Sequence, residues 1–157
     1  MSYIEKNLIA GETLVFRTGL HWTVLAWPMF VALVLASGAI ACLLQNDKAF
    51  LAAGIFLLVL AGIVVLTAIV KRNAVEIGVT DRRVMIKTGM ANRRSLEIML
   101  PKVESVGIEE SMVGRALGYG TVVIRGTGGT PEPFQRIARP AELRIKVQEQ
   151  VDAVTRR

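Results

Sequence analysis

The sequence predicts a transmembrane helical hairpin followed by a small antiparallel β domain that ends in a helix. Three observations predict this arrangement. Two long apolar segments without charged residues lie between residues 22 and 70, and a short polar link separates them. Beyond residue 71, apolar residues alternate with polar ones at the period of β-strands. In the last segment they recur at the period of an α-helix.

The N-terminal arm, residues 1–21, is short and amphipathic. We predict a short helix over residues 2–8 and a strand over residues 12–18. Gly11 and Gly19 stand on either side of the apolar stretch and are turn signals.

Three residues at the start of the hairpin are predicted to anchor it in the headgroup layer. They are His21, Trp22 and Trp27. Amphipathic rings are enriched at membrane–water interfaces. His21 is the only histidine of the chain, so no second histidine is present to share a metal ion with it.

The hairpin is predicted to span a membrane over residues 22–70. Its two apolar segments, residues 23–45 and 49–70, are long enough, because about 20 residues cross a hydrocarbon core. The short link makes the helices antiparallel, so both chain ends lie on one side. Basic residues such as Lys71 and Arg72 flank that side, and the positive-inside rule places both termini in the cytoplasm.

The interior of the hairpin indicates an anchor and not a conduit. Neither segment carries an internal ionisable residue, and ion or proton pathways need them. The single cysteine, Cys42, has no partner for an internal disulfide and is predicted to be a packing residue. Small residues that allow two helices to approach closely recur in both segments. They are Ala36, Ser37, Gly38, Ala39, Ala41, Ala52, Ala53, Gly54, Ala61 and Gly62.

Residues 71–157 are predicted to form the cytoplasmic β domain. Period-two alternation predicts strands over residues 75–80, 84–88, 95–100, 105–109, 119–125 and 134–137. Pro101 suits a strand edge, a turn or a bulge, since it cannot donate to a ladder. Residues 111–118 are a glycine-punctuated connection that has room for one helical turn.

A C-terminal helix is predicted over residues 140–155. Pro140 suits its first position, and four apolar residues recur along one stripe: Leu143, Val147, Val151 and Val154. Small sheets avoid exposed edges by curling or closing, so we expect this helix to cover an open end of the β domain.

Three basic pairs are candidate contacts to anionic lipid: Lys71 with Arg72, Arg82 with Arg83, and Arg93 with Arg94. An anionic leaflet attracts each nearby basic side chain by about 1 kcal/mol. The alternative is that these charges only set the membrane topology as the positive-inside signal and need no ligand.

The sequence offers no catalytic or metal-binding constellation. Neither a serine nor a cysteine nucleophile has a partner base, and the adjacent Glu109 and Glu110 would point to opposite faces of a strand. The glycine loop at residues 126–129 lacks the Lys-Ser/Thr of a phosphate loop. We therefore predict no enzyme, no cofactor and no metal ion.

Nucleic-acid binding is also set aside. The net charge of +6 is consistent with it, but the aromatic residues do not interleave with the basic pairs. Membrane attachment also accounts for the charge.

The β region resembles a known family. The relevant stretches are Val75-Glu-Ile-Gly-Val-Thr-Asp-Arg-Arg-Val84, Glu97-Ile-Met-Leu-Pro-Lys-Val103, Arg115-Ala-Leu-Gly-Tyr-Gly120 and Phe134-Gln-Arg-Ile137. With the two preceding helices and Gly11-Glu12, they resemble the bacterial pleckstrin-homology (PH) domain family of YdbS-like membrane proteins.

The resemblance implies a PH-like fold, a curved and partly open antiparallel barrel of about seven strands with a C-terminal capping helix. It implies little biochemistry, because a fold does not define a function. The leading hypothesis is a non-enzymatic interaction or scaffold module at the cytoplasmic face of the bacterial inner membrane. Its partner is a protein or another copy of the chain. The alternatives are binding of anionic lipid headgroups and, remotely, an enzyme.

Overall fold

The computed structural model describes residues 3–45, 47–89, 94–129 and 131–156. In chain order the elements are α1 (Tyr3–Lys6), β1 (Leu14–Gly19), a 3-10 turn (Trp22–Leu25), α2 (Ala26–Leu43), α3 (Lys48–Arg72), β2 (Glu76–Thr80), β3 (Arg83–Thr88), β4 (Arg94–Met99), a 3-10 turn (Leu100–Lys102), β5 (Val103–Glu109), α4 (Met112–Leu117), β6 (Tyr119–Gly126), β7 (Glu132–Ala138) and α5 (Pro140–Thr155). They form two compact units. The hairpin unit is Trp22–Arg72, and the β unit combines the chain before and after it.

The hairpin unit is a pair of antiparallel helices, α2 and α3, that meet along small residues. Ala32 and Ala39 are the buried residues of α2, and Gly54, Ala61 and Ala68 are those of α3. In each helix these positions are seven apart, the spacing that keeps one seam facing a partner helix. Small side chains at the seam let the backbones approach closely, as the composition of the segments predicts.

The β unit contains two antiparallel sheets. The first has the strand order β1-β2-β3-β4 and the second β5-β6-β7. Their inner faces enclose one apolar core, to which α5 also contributes. The fold class expected from the sequence is confirmed: the described residues form two apolar helices, seven strands in two sheets and a C-terminal helix, consistent with a PH-like fold.

The N-terminal segment belongs to the β unit in space. β1 pairs with β2 in the first sheet, and Ile4 of α1 is fully buried. The sequence predicts residues 1–21 as an N-terminal arm apart from the β domain. The structure instead places the strand expected there at the edge of the first sheet, because β2 offers it a free edge and the core offers Phe16 a buried site.

The C-terminal helix α5 packs on the core through the expected stripe. Leu143 and Val147 are buried, and Val151 and Val154 are partly buried against the same core. Pro140 lies in the first turn, where a missing N–H leaves no hydrogen bond unmade. The helix therefore covers an open side of the two sheets.

Candidate functional site

One end of the β unit is where the chain enters and leaves the hairpin unit. β1 ends at Gly19, three residues before Trp22, and β2 begins at Glu76, four residues after Arg72. Gly19 and Glu76 are cross-strand partners in the first sheet. Both covalent connections therefore leave the same end of neighbouring strands, which we call the hairpin end.

The second sheet also reaches the hairpin end. Leu20 forms a β-bridge with Ile137 of β7, and the Thr18 hydroxyl donates to the Ala138 carbonyl at 2.6 Å. The His21 N–H donates to the Arg136 carbonyl at 2.8 Å. These contacts join the two sheets beside the point where the chain leaves for the hairpin.

His21 is packed into the β unit at this end. Its ring stacks on Tyr119 with the centroids 5.4 Å apart, and only 9% of the residue is exposed. The expected role as a headgroup anchor needs an accessible ring, so the structure gives His21 a packing role instead. Trp22 and Trp27 lie in the hairpin unit with 54% and 70% of their surface exposed, and their anchoring role stays a prediction.

An open polar cleft of about 640 Å³ lies at the hairpin end. Its lining comes from the end of β5, the start of β6 and from β7. The residues are Ile108, Glu109, Glu110, Ser111, Tyr119, Gly120, Thr121, Gln135 and Arg136. Hydrogen-bonding groups of both charges line it, so it suits a polar segment of a partner. Within the described ranges, no cluster of three or more His, Cys, Asp or Glu side chains is placed to hold a metal ion.

Two members of the basic pairs, Arg82 and Arg94, lie at opposite ends of the first sheet. Arg94 pairs with Thr88 and lies at the same end as Glu76, whose partner on β3 is Lys87. Arg82 lies at the other end, in the turn between β2 and β3. A six-residue strand spans roughly 17–20 Å, so Arg82 and Arg94 do not form one cluster.

The remaining members of the basic pairs fall elsewhere. Lys71 and Arg72 form the exposed last turn of α3 in the hairpin unit. Arg93 lies outside the residues that the structure describes.

Arg83 is buried and fully engaged inside the β unit, with 7% of its surface exposed. Its guanidinium donates from Nε and Nη2 to the two carboxylate oxygens of Glu12 at 2.9 and 2.8 Å. Nη1 donates to Glu97 at 2.6 Å, and Nη2 also donates to the Asn7 carbonyl at 3.0 Å. Arg83 thus links the N-terminal segment to β3 and β4. Because it is buried, Arg83 is not positioned to contact lipid, contrary to the prediction from its basic pair.

Glu12 is held as a buried carboxylate by this arrangement. Burial by itself raises the pKa of Glu12, but hydrogen bonds from Arg83, the Ile9 N–H and the Thr80 hydroxyl, with the charge of Arg83, lower the pKa from 4.5 to about 2. Reciprocally, the hydrogen bond to Glu12 raises the pKa of Arg83. Both groups are therefore charged at neutral pH, and each satisfies the other.

This ion pair is not predicted from the sequence, although signals for it are present. The sequence predicts Glu12 only as the first residue of a strand and Arg83 only as a candidate lipid contact, and it does not pair them. Arg83 and Val84 are both buried at the start of β3, which breaks the alternation that would have turned Arg83 outward. A glutamate 71 residues away in sequence is invisible to local patterns.

Comparison with protein families gives one match, to the model described as "Bacterial PH domain", over residues 20–157. No curated protein and no solved structure matches the chain. PH domains are generally binding modules and not catalysts, which agrees with a general interaction role. The match covers most of the chain, both sheets except β1, and the C-terminal helix. The chain therefore belongs to the bacterial PH domain family.

Proposed function

We propose that this protein is a membrane-anchored interaction module. The hairpin unit spans the bacterial inner membrane with both chain ends in the cytoplasm. The β unit is held at the cytoplasmic face and binds a protein partner or another copy of the chain without catalysing a reaction. Its attachment keeps its local concentration high, so that weak contacts suffice.

The uncovered apolar surface of the hairpin unit carries the membrane part of this proposal. Both helices are long and apolar, with mean hydropathy of 2.1 and 2.9 over their most apolar windows. Only 11% of each window is buried, and large side chains such as Leu33 and Phe56 are each 67% exposed. A core helix of a water-soluble protein would bury these side chains, whereas a hydrocarbon environment accommodates them.

The interaction part rests on the family and on the form of the β unit. PH-like domains are generally binding modules. Among the described residues, β4 and β5 each pair with one strand only, so each leaves an edge that can accept a strand from a partner. The polar cleft at the hairpin end supplies hydrogen-bonding groups near the β5 edge.

A topology experiment tests the membrane part. In a Cys42→Ser background, single cysteines replace Gln45 in the link between α2 and α3 and Thr127 in the β unit. We expect a membrane-impermeant maleimide to label position 45 in intact cells, and position 127 only after permeabilisation. Labelling of position 127 in intact cells, or release of the protein by alkaline carbonate, would contradict the proposal.

A second candidate function is seating of the protein on anionic lipid through exposed basic residues. The exposed Arg94 lies at the hairpin end, and Lys71 and Arg72 precede β2 by only a few residues. Arg82 provides a matched control, because it is also exposed but lies at the opposite end of the sheet.

The accessibility of the β unit to labelling or proteolysis in vesicles tests which end of the sheet contacts the lipid. If seating occurs, Lys71→Gln, Arg72→Gln and Arg94→Gln together should make the domain more accessible in phosphatidylglycerol vesicles. Arg82→Gln should have no such effect. Equal behaviour of the triple variant and the control would remove the support for lipid seating.

A further inference from the structure

The short helix α4 presents an apolar face to its surroundings. Met112 is 92% exposed, Val113 60% and Leu117 45%. Ala116 is also exposed. These four residues, the α4 face, form a continuous stripe, because positions three and four apart lie side by side on a helix. This is the reverse of a surface helix, which turns its apolar stripe toward the core.

The orientation of the α4 face is fixed by the opposite side of the helix. Gly114 is buried there, and a Cβ at this position would lie 2.5 Å from the Tyr119 carbonyl oxygen. Ser111 caps the first turn by accepting from the Gly114 N–H at 3.0 Å, and Gly118 ends the helix in the left-handed conformation. The helix is therefore held firmly with its apolar stripe outward.

The α4 face lies at the hairpin end of the β unit. α4 leads directly into β6, whose first residue, Tyr119, stacks on His21. The next residue after His21 begins the hairpin. An exposed apolar stripe thus lies beside the residue from which the chain enters the predicted membrane anchor.

We propose that the α4 face is a second membrane contact, which inserts into the boundary between lipid headgroups and acyl chains. This inference rests on the proposed function, since it needs the hairpin to lie in a bilayer. A helix of this length is far too short to span a membrane, but an apolar face lying in the interface plane suits it. Arg115, exposed beside the stripe, is placed to meet phosphate groups.

The bilayer fits this face better than a second copy or a soluble partner, because the face lies near His21, the residue of the β unit that leads directly into the apolar helices. Apolar burial drives the contact, since Glu109 and Glu110 just before α4 outnumber Arg115 and leave no net attraction to an anionic leaflet. Insertion of the α4 face is therefore insensitive to salt and to anionic lipid, unlike the basic seating considered above. It would fix the orientation of the β unit on the bilayer.

Depth-dependent fluorescence quenching in the full-length protein tests the inference. In a Cys42→Ser background, single cysteines at 112, 117, 127 or 33 carry an environment-sensitive dye. The protein is reconstituted in phosphatidylcholine vesicles, with or without phosphatidylglycerol, that contain lipids spin-labelled near the top of the acyl chain. Position 127 is the exposed control on the β unit, and position 33 is the control within the hairpin.

We expect several-fold stronger quenching at 112 and 117 than at 127, with little change on adding phosphatidylglycerol or salt. Quenching at 33 but not at 112 and 117 would overturn the inference and leave the proposed function standing. Absence of quenching at 33 would overturn both. A third outcome is a dye at position 112 that is not quenched by the lipids but becomes more shielded from water as the protein-to-lipid ratio rises. It would assign the face to a second copy and so overturn the membrane contact.

Discussion

At the scale of single residues, the buried ion pair of Glu12 and Arg83 joins the N-terminal segment to the first sheet. Removing two charges from water costs several kcal/mol for each charge. Their attraction offsets this desolvation energy only when the remaining hydrogen-bonding groups are satisfied. Here the carboxylate also accepts from Thr80, and the guanidinium also donates to Glu97 and the Asn7 carbonyl. The pair therefore holds the N-terminal segment against the first sheet.

Glu12→Gln should destabilise the β unit by about 3 kcal/mol, because it leaves Arg83 buried with a single partly exposed counter-charge. The matched control is Glu97→Gln. The Glu97 side chain is 40% exposed, so we expect a loss of about 1 kcal/mol or less from its removal. Denaturant unfolding of both variants in detergent measures the difference. Equal losses of unfolding free energy in the two variants would show that the burial of Glu12 does not strengthen its contribution to stability.

The stability that Glu12 provides should depend on pH in a defined window. Its pKa is 4.5 ordinarily and about 2 in the fold, so its contribution is fully present above pH 4.5 and is lost as the pH falls toward 2. The shift corresponds to about 3 kcal/mol. The stability difference between the native protein and Glu12→Gln should shrink steadily below pH 4.5. A difference that stays constant down to pH 2 would contradict a depressed pKa.

At the scale of elements, local patterns predicted most of the fold, and non-local pairing explains what they missed. Alternation placed six strands, and the stripe from Leu143 to Val154 placed α5, because both signals lie within one element. Nothing local indicates that β1 pairs with β2 across a long apolar insertion, or that Glu12 meets Arg83. The α4 helix was expected only as a turn, and its outward apolar face becomes visible once Gly114 is seen to pack on Tyr119.

The helix pair of the hairpin permits a matched test of its seam. A Cβ on Gly54 would lie 2.8 Å from the Leu43 side chain and 3.1 Å from the Ala39 carbonyl oxygen, whereas a Cβ on Gly62 would meet nothing within 4 Å. Gly54→Val should therefore destabilise the helix pair by about 1–3 kcal/mol through overpacking. Gly62→Val carries the same change in helix propensity and should have much less effect.

Thermal unfolding of the two variants in detergent, followed by helix content, compares these positions. Equal destabilisation would show that propensity, and not contact at the seam, determines the result.

At the scale of the whole molecule, the β unit is discontinuous in sequence. The hairpin unit is inserted between two neighbouring strands, and the family match begins at residue 20, after β1 has ended. A fragment that begins after the hairpin lacks β1, its cross-strand hydrogen bonds and the carboxylate that neutralises Arg83. A complete β unit therefore needs residues from both sides of the hairpin.

Replacing Trp22–Arg72 with a flexible linker should give a soluble, folded β unit. Gly19 and Glu76 are cross-strand partners, so a Gly/Ser linker of about six residues between His21 and Asn73 spans the gap without strain. The fragment 73–157 should lack cooperative unfolding, because β2 has an uncovered edge and Arg83 has lost Glu12. Circular dichroism with denaturant unfolding compares the two proteins.

Restoring β1 by adding residues 1–21 as a separate peptide should stabilise the fragment, whereas a peptide carrying Glu12→Gln should do so less. A fragment as stable as the linked protein would show that β1 is dispensable, and the buried ion pair with it.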